Sequence, residues 1–138
     1  MTPSRRVGLS PTAACPCGSD REYGVCCGRW HAGLKEGVHA DTPEALMRSR
    51  YSAYVLGLID YLMATWHPGT APGDLELQPI KWLGLEVRHA ESTADAGVVE
   101  FVARLRNTNG RAERLHETSR FVREHGRWYY IDGQFAGE

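Results

Sequence analysis

Every cysteine of the chain, Cys15, Cys17, Cys26 and Cys27, falls within the thirteen residues CPCGSDREYGVCC. Four thiolates satisfy the tetrahedral, soft-ligand preference of zinc at about 2.3 Å each, and a closed set of four leaves no position for a substrate water. The expected chemistry is therefore structural: one zinc ion per chain, with Gly18 and Ser19 turning backbone amides toward the sulfurs. The segment has too few apolar residues to bury a core, whereas zinc binding worth about 10–16 kcal/mol can fold such a knuckle. Iron or an iron–sulfur cluster suits the same ligands. Disulfides would require an oxidising compartment, and His31 or His39 lies close enough in sequence to replace one thiol.

The elements that must position this cluster are read from pattern. Residues 1–14 carry Pro3, Gly8 and Pro11 without periodicity, which predicts a flexible arm. The cysteine module spans 15–30, and the glycine-rich residues 31–40 are expected to be a linker. The main domain, 41–138, opens with Thr42 as helix cap, Pro43 at the first helical position and Glu44 at the positive dipole end. Met47, Tyr51, Tyr54, Val55 and Leu58 then recur at helical spacing, with Arg48 and Ser52 off that face. Asp60 is expected to cap a second helix, DYLMATW, ended by Pro68. Beyond Leu83 the period becomes two. In VVEFVARLR, Val99, Phe101, Ala103 and Leu105 share one face and Glu100, Arg104 and Arg106 the other. Turns at NTNG and HG make about four antiparallel strands, so helices should cover one face of a curved sheet in an α+β domain.

A net charge of -1 excludes a global basic field, so any nucleic-acid partner must meet a local patch such as the hairpin tip RLRNTNGRAER. No run approaches the roughly 18 apolar residues of a membrane span, and the N-terminus lacks the apolar core of a leader; a cytoplasmic location with no membrane partner is expected.

CPCGSDREYGVCCG resembles the SEC-C motif, a zinc module, and EALMRSRYSAYVLGLIDYLMATWHP, WLGLEV, VEFVARL and SRFVREHGRWYYIDG together resemble the YchJ family. That resemblance covers nearly the whole chain. It implies a zinc knuckle followed by a nuclear transport factor 2-like (cystatin-like) cone, helices on a curved antiparallel sheet with a pocket at the open end. Some relatives carry a second SEC-C motif at the C-terminus; none is expected in this chain at DGQFAGE.

Candidate pocket residues are Tyr54, Trp66, Trp82, His116, Trp128 and Tyr130, with His67, Glu117 and Asp132 as further titratable groups near element ends. Adjacent His116 and Glu117 must point to opposite faces of a strand, so neither orients the other. Asp132-Gly133 has the form of a turn, and Arg48 and Arg50, two apart on a helix, diverge and are each expected to find a carboxylate at Asp60 or Glu117. No P-loop, GxSxG, HExxH or dinucleotide fingerprint occurs, so no catalytic residue is assigned and an enzyme is the less expected outcome. Three functions follow as expectations. The first is an adaptor whose knuckle docks on a protein or ribonucleoprotein while the cone binds a second partner or small ligand. The others are a small-molecule binder or enzyme using the cone, and RNA binding through knuckle and hairpin. A homodimer through the outer sheet face is possible in each.

Overall fold

The computed structural model describes residues 9–135. Of the arm expected over 1–14, residues 1–8 lie outside the described residues, while its last part is ordered against the knuckle. Ala14 bridges Glu22, the Tyr23 N–H donates to Ala13 O at 2.8 Å, and the Gly24 N–H donates to Pro11 O at 2.8 Å.

Three helices precede the sheet: α1 (Cys27–Gly33), α2 (Pro43–Leu56) and α3 (Ile59–Ala64). Helix α2 begins as its sequence dictates, with extended Thr42 accepting the Ala45 N–H on Oγ1 at 3.0 Å and Pro43 in the first turn. Helix α3 starts at Ile59, capped by no side chain; Asp60 sits inside its first turn, so the capping role expected of it is not taken up. The expected linker is also corrected. Residues 27–33 are helical and 34–36 form a 3₁₀ turn, because Trp30 and Gly33 are buried rather than solvated and the helix packs on α2.

Four strands, β1 (Lys81–Ser92), β2 (Ala96–Arg106), β3 (Ala112–Glu124) and β4 (Arg127–Phe135), form an antiparallel meander in sequence order. Val99, Phe101, Ala103 and Leu105 are buried, as their alternation requires. Register shifts at Trp82/Gly84 and Val87/His89 in β1, and opposite Arg120/Phe121 in β4, curl the sheet around α2. The exit of α3 is pinned to β4: the His67 N–H donates to Tyr130 O at 2.8 Å and the Tyr130 N–H to Thr65 O at 2.9 Å. No helix among the described residues is long and apolar enough to cross a membrane.

Helix α2 is the axis of the molecule. One side faces the sheet through Met47, Tyr51 and Arg50. The other, which its sequence pattern leaves polar, faces the knuckle through Arg48, Ser49 and Ser52. Ser49 and Ser52 are 0 % exposed. One continuous cluster of buried side chains runs from the four cysteines through Tyr51 and Leu62 to Phe121. Knuckle and cone therefore share a core.

Candidate functional site

The knuckle closes on a tight turn. The Gly18 N–H donates to Cys15 O at 3.3 Å, and Gly18 itself holds a φ of +81°. A side chain there would be strained by the backbone and crowd Leu85 O of β1, so the turn needs glycine. Cys26 ends a 3₁₀ turn (Tyr23–Val25), and Cys27 opens α1. The four Sγ atoms lie within 4.8 Å of one another, all buried, with Cys17 and Cys26 3.7 Å apart. A tetrahedron of about 2.3 Å metal–sulfur bonds has edges of about 3.8 Å, so this cluster could hold a metal ion with little movement. The thiols are free, and a disulfide would need sulfurs about 2.05 Å apart.

Crowding governs their protonation. Hydrogen bonds from Cys17 and Cys27 pull the Cys15 thiol down to about 3, while hydrogen bonding to Cys15 pushes Cys27 well above the ordinary thiol range. Without a cation, protons bridge the sulfurs; a divalent ion held by the four cysteines would displace them. Around the cluster, Ser19 Oγ lies 3.1 Å from Cys26 Sγ, Ser52 Oγ 3.7 Å from Cys15 Sγ, and Arg48 Nη1 3.9 Å from Cys17 Sγ. Two hydroxyls and one cation thus temper the thiolate charge, which is the help a four-thiolate ion needs.

His31 takes no ligand role. Ser49 O can only accept, so Nε2–H donates to it at 2.8 Å, and Nδ1 accepts the Tyr23 hydroxyl at 2.6 Å. Burial holds its basicity down, consistent with this neutral ring. Both nitrogens tie the knuckle to α2.

Under α2 lies the second feature, a cavity of about 250 Å³ between the helix and the inner sheet face. Tyr54, Trp82 and Tyr130 of the expected pocket residues line it, together with Glu117. The others are placed elsewhere. Trp66 packs edge-on to Tyr130 behind the lining, and Trp128 is in the core near the start of β4. His116 is on the outer face, 2.7 Å from Glu100, as its alternation with Glu117 demands. His67 donates to Glu124 at the sheet end. Asp132 is held by Arg120 on the outer face through two hydrogen bonds of 2.7 and 2.8 Å, which lower its carboxyl below the usual range.

Asp132-Gly133 is not a turn. It lies inside β4, and a Cβ on Gly133 would collide with the Glu117 carboxylate, which lies across the strand at that point. Gly133→Ala is accordingly expected to destabilise the fold by about 1–3 kcal/mol, read by thermal melting. In the background of Glu117→Ala the same change should cost nearly nothing; equal costs in both backgrounds would refute the contact.

Of the pocket's polar floor, Glu117 was a candidate from sequence and Arg50 was not. Arg50, 5 % exposed, lines the cavity and is stacked between two rings, its Cζ 4.5 Å from the Tyr130 centroid and 5.0 Å from that of Trp66. Its Nη1 donates to Leu62 O and Thr65 Oγ1, both at 2.8 Å. The carboxylate partner expected for it is missing: no ion pair joins Arg50 to Asp60 or Glu117, because the α3 backbone and Thr65 just beyond it take up the guanidinium instead. Arg48 pairs with Glu44, 2.9 Å away. Glu117 Oε2 accepts the Ser119 hydroxyl at 2.8 Å, and burial raises the Glu117 carboxyl above the ordinary range. The signal available in the sequence was Arg50 itself, one residue along from the apolar stripe.

Residues 42–133 match the family model for the YchJ middle NTF2-like domain, and residues 12–29 that of the SEC-C motif. A UPF0225 protein from Bordetella parapertussis is 57 % identical over 127 residues, covering 90 % of this chain and 94 % of its own. One from Xanthomonas campestris is 49 % identical over 138 residues, covering 97 % and 100 %. Among solved structures, the solution structure of a SEC-C motif containing protein from Rhodopseudomonas palustris matches with a TM-score of 0.78 at 36 % identity, covering 88 % of this chain and 98 % of that one. The crystal structure of a SEC-C motif containing protein from Psychrobacter arcticus matches with a TM-score of 0.73 at 27 % identity, covering 93 % and 85 %.

Proposed function

Because the chain belongs to the YchJ family, pairing a SEC-C motif with an NTF2-like domain, we propose that it is a zinc-braced binder of a small ligand held in the cone. Zinc is the ion that a closed, all-thiolate tetrahedron without an open position suits best, and its role here is to brace. The adaptor expected from sequence would dock through the knuckle's outer face, where Asp20, Arg21, Glu22, Val25 and Arg29 are exposed, while the thiols themselves are buried against α2.

The observation that carries the reading is the cavity: a hollow with aromatic walls and a few convergent polar groups, one of them a buried guanidinium without a carboxylate partner. Binding is favoured over catalysis because no histidine or cysteine lines it and Glu117 is engaged by Ser119. Ala103, 1 % exposed on the cavity wall, gives the test. Fragments detected by ligand-observed NMR with the native protein are expected to be lost on Ala103→Leu, which fills the hollow without a polar change. Hits that persist in the variant, or no hits at millimolar concentration, would sink the proposal.

A further inference from the structure

The cavity's polar groups are arranged to select a ligand edge. Arg50 spends Nη1 on Leu62 O and Thr65 Oγ1; among the described residues its Nη2 and Nε have no hydrogen-bond partner. Glu117 spends Oε2 on Ser119, with the Tyr130 hydroxyl 3.5 Å away, and Oε1 has no partner. None of these atoms counts among the fully enclosed unpartnered ones, a class occupied by Trp66 Nε1, and both residues line the hollow. The site thus offers unused donors from a cation and an unused acceptor from an anion, farther apart than a 4.0 Å ion pair.

Charge decides what fits between them. Guanidinium and carboxylate balance each other across the cavity, so a charged ligand would pair with one and leave the other buried and opposed. A ligand's own ion would also have to leave water, at a cost of several kcal/mol. A neutral group carrying one acceptor and one donor side by side meets both residues without either cost. The walls set the body: Tyr51, Trp82, Phe101 and Phe121 present flat apolar surface to the hollow. A dry cavity of about 150 Å³ already takes benzene. At about 250 Å³, this one has room for an aromatic ring with a small substituent.

We propose that the cone takes a neutral, flat, aromatic-bodied molecule presenting an amide or lactam edge, its carbonyl to Arg50 and its N–H to Glu117. This rests on the ligand-binding reading of the cone and specifies the chemical class.

Four monosubstituted benzenes separate the possibilities: benzamide, benzoate and benzamidine, which share a size, and the smaller toluene, titrated while following the indole N–H resonance of Trp82. Benzamide is expected to bind the native protein about tenfold or more tighter than benzoate or benzamidine, the worth of one mismatched charged hydrogen bond. In Glu117→Gln, whose amide can also donate, benzoate should rise to equal or overtake benzamide. If benzoate, benzamidine or toluene binds the native protein as tightly as benzamide, the amide class is wrong while the cone remains a binding site. If benzoate gains nothing in Glu117→Gln, the assignment of Glu117 as the acceptor is overturned. If no probe, toluene included, moves the Trp82 resonance, the ligand-binding reading falls as well.

Discussion

Cys17→Ser is expected to lower the thermal unfolding midpoint by at least about 10 °C, to abolish stoichiometric zinc, and to raise amide exchange across α2. The native protein should carry one zinc per chain by native mass spectrometry. The argument begins with burial: Cys17 is 0 % exposed, its carbonyl accepts Arg48 Nη1 at 2.9 Å, and its sulfur belongs to the cluster that could hold the ion. Structural zinc contributes about 10–16 kcal/mol in small knuckles, and removal of one thiolate forfeits a large part of that. For a chain of this size about 1 kcal/mol moves the midpoint by roughly 3–5 °C, so even a loss of about 3 kcal/mol gives the stated shift. The effect reaches α2 because His31 donates to Ser49 O and Ser52 Oγ sits against Cys15. If zinc is lost but α2 exchanges at the native rate, the knuckle is a separate folding unit and the shared core is wrong.

Arg50→Met should do the reverse, sparing the fold and removing the ligand. Two opposing terms decide this. The variant gives up hydrogen bonds to Leu62 O and Thr65 Oγ1 and the stacking on Trp66 and Tyr130, each worth about 1–3 kcal/mol. It also relieves a guanidinium whose charged form burial disfavours, and the Glu117 carboxyl left behind, already raised by burial, can take up a proton instead of standing as an unbalanced charge. The net change in stability is expected to stay within about 2 kcal/mol. Binding has no such compensation: a charged donor to a ligand carbonyl is worth about 1.5–3 kcal/mol, so affinity for benzamide should fall about 10- to 100-fold by calorimetric titration. A collapse in melting temperature with affinity retained in the surviving folded fraction would make Arg50 a tie between α2 and α3 and nothing more.

The readability of this chain from its sequence differs from one element to the next for physical reasons. The thiols were legible because all four lie within thirteen residues, and the inner face of β2 because a sheet with one solvated side enforces alternation. Helix α2 was half legible. Its sheet-facing stripe is apolar, but its second buried face is built from Arg48, Ser49 and Ser52, polar residues that the knuckle hydrogen-bonds, and periodicity registers apolarity rather than satisfied polarity. Helix α1 was read as a tether because glycines lower helix propensity. In the fold Gly28 lies directly against the Tyr23 ring and carbonyl, where a larger residue would not fit, so packing overrides propensity. Arg50 was sought in an ion pair because buried cations usually have one; carbonyl, hydroxyl and two aromatic faces replaced it.

The order in which the chain is made gives the shared core a history. Cys15 leaves the ribosome seventy residues before Leu85, whose carbonyl crowds the Gly18 turn, and well before Ser52 and Arg48 of α2 that shield the sulfurs. At about 5–20 residues per second, that interval lasts about 4–14 s. Until α2 has emerged, about half of that interval, the four thiols stand open to metal and to oxidant alike. An ion taken up in that window would meet the sulfurs before α2 lies against them, whereas the sheet-facing side of α2 waits for β2 to β4 to be covered.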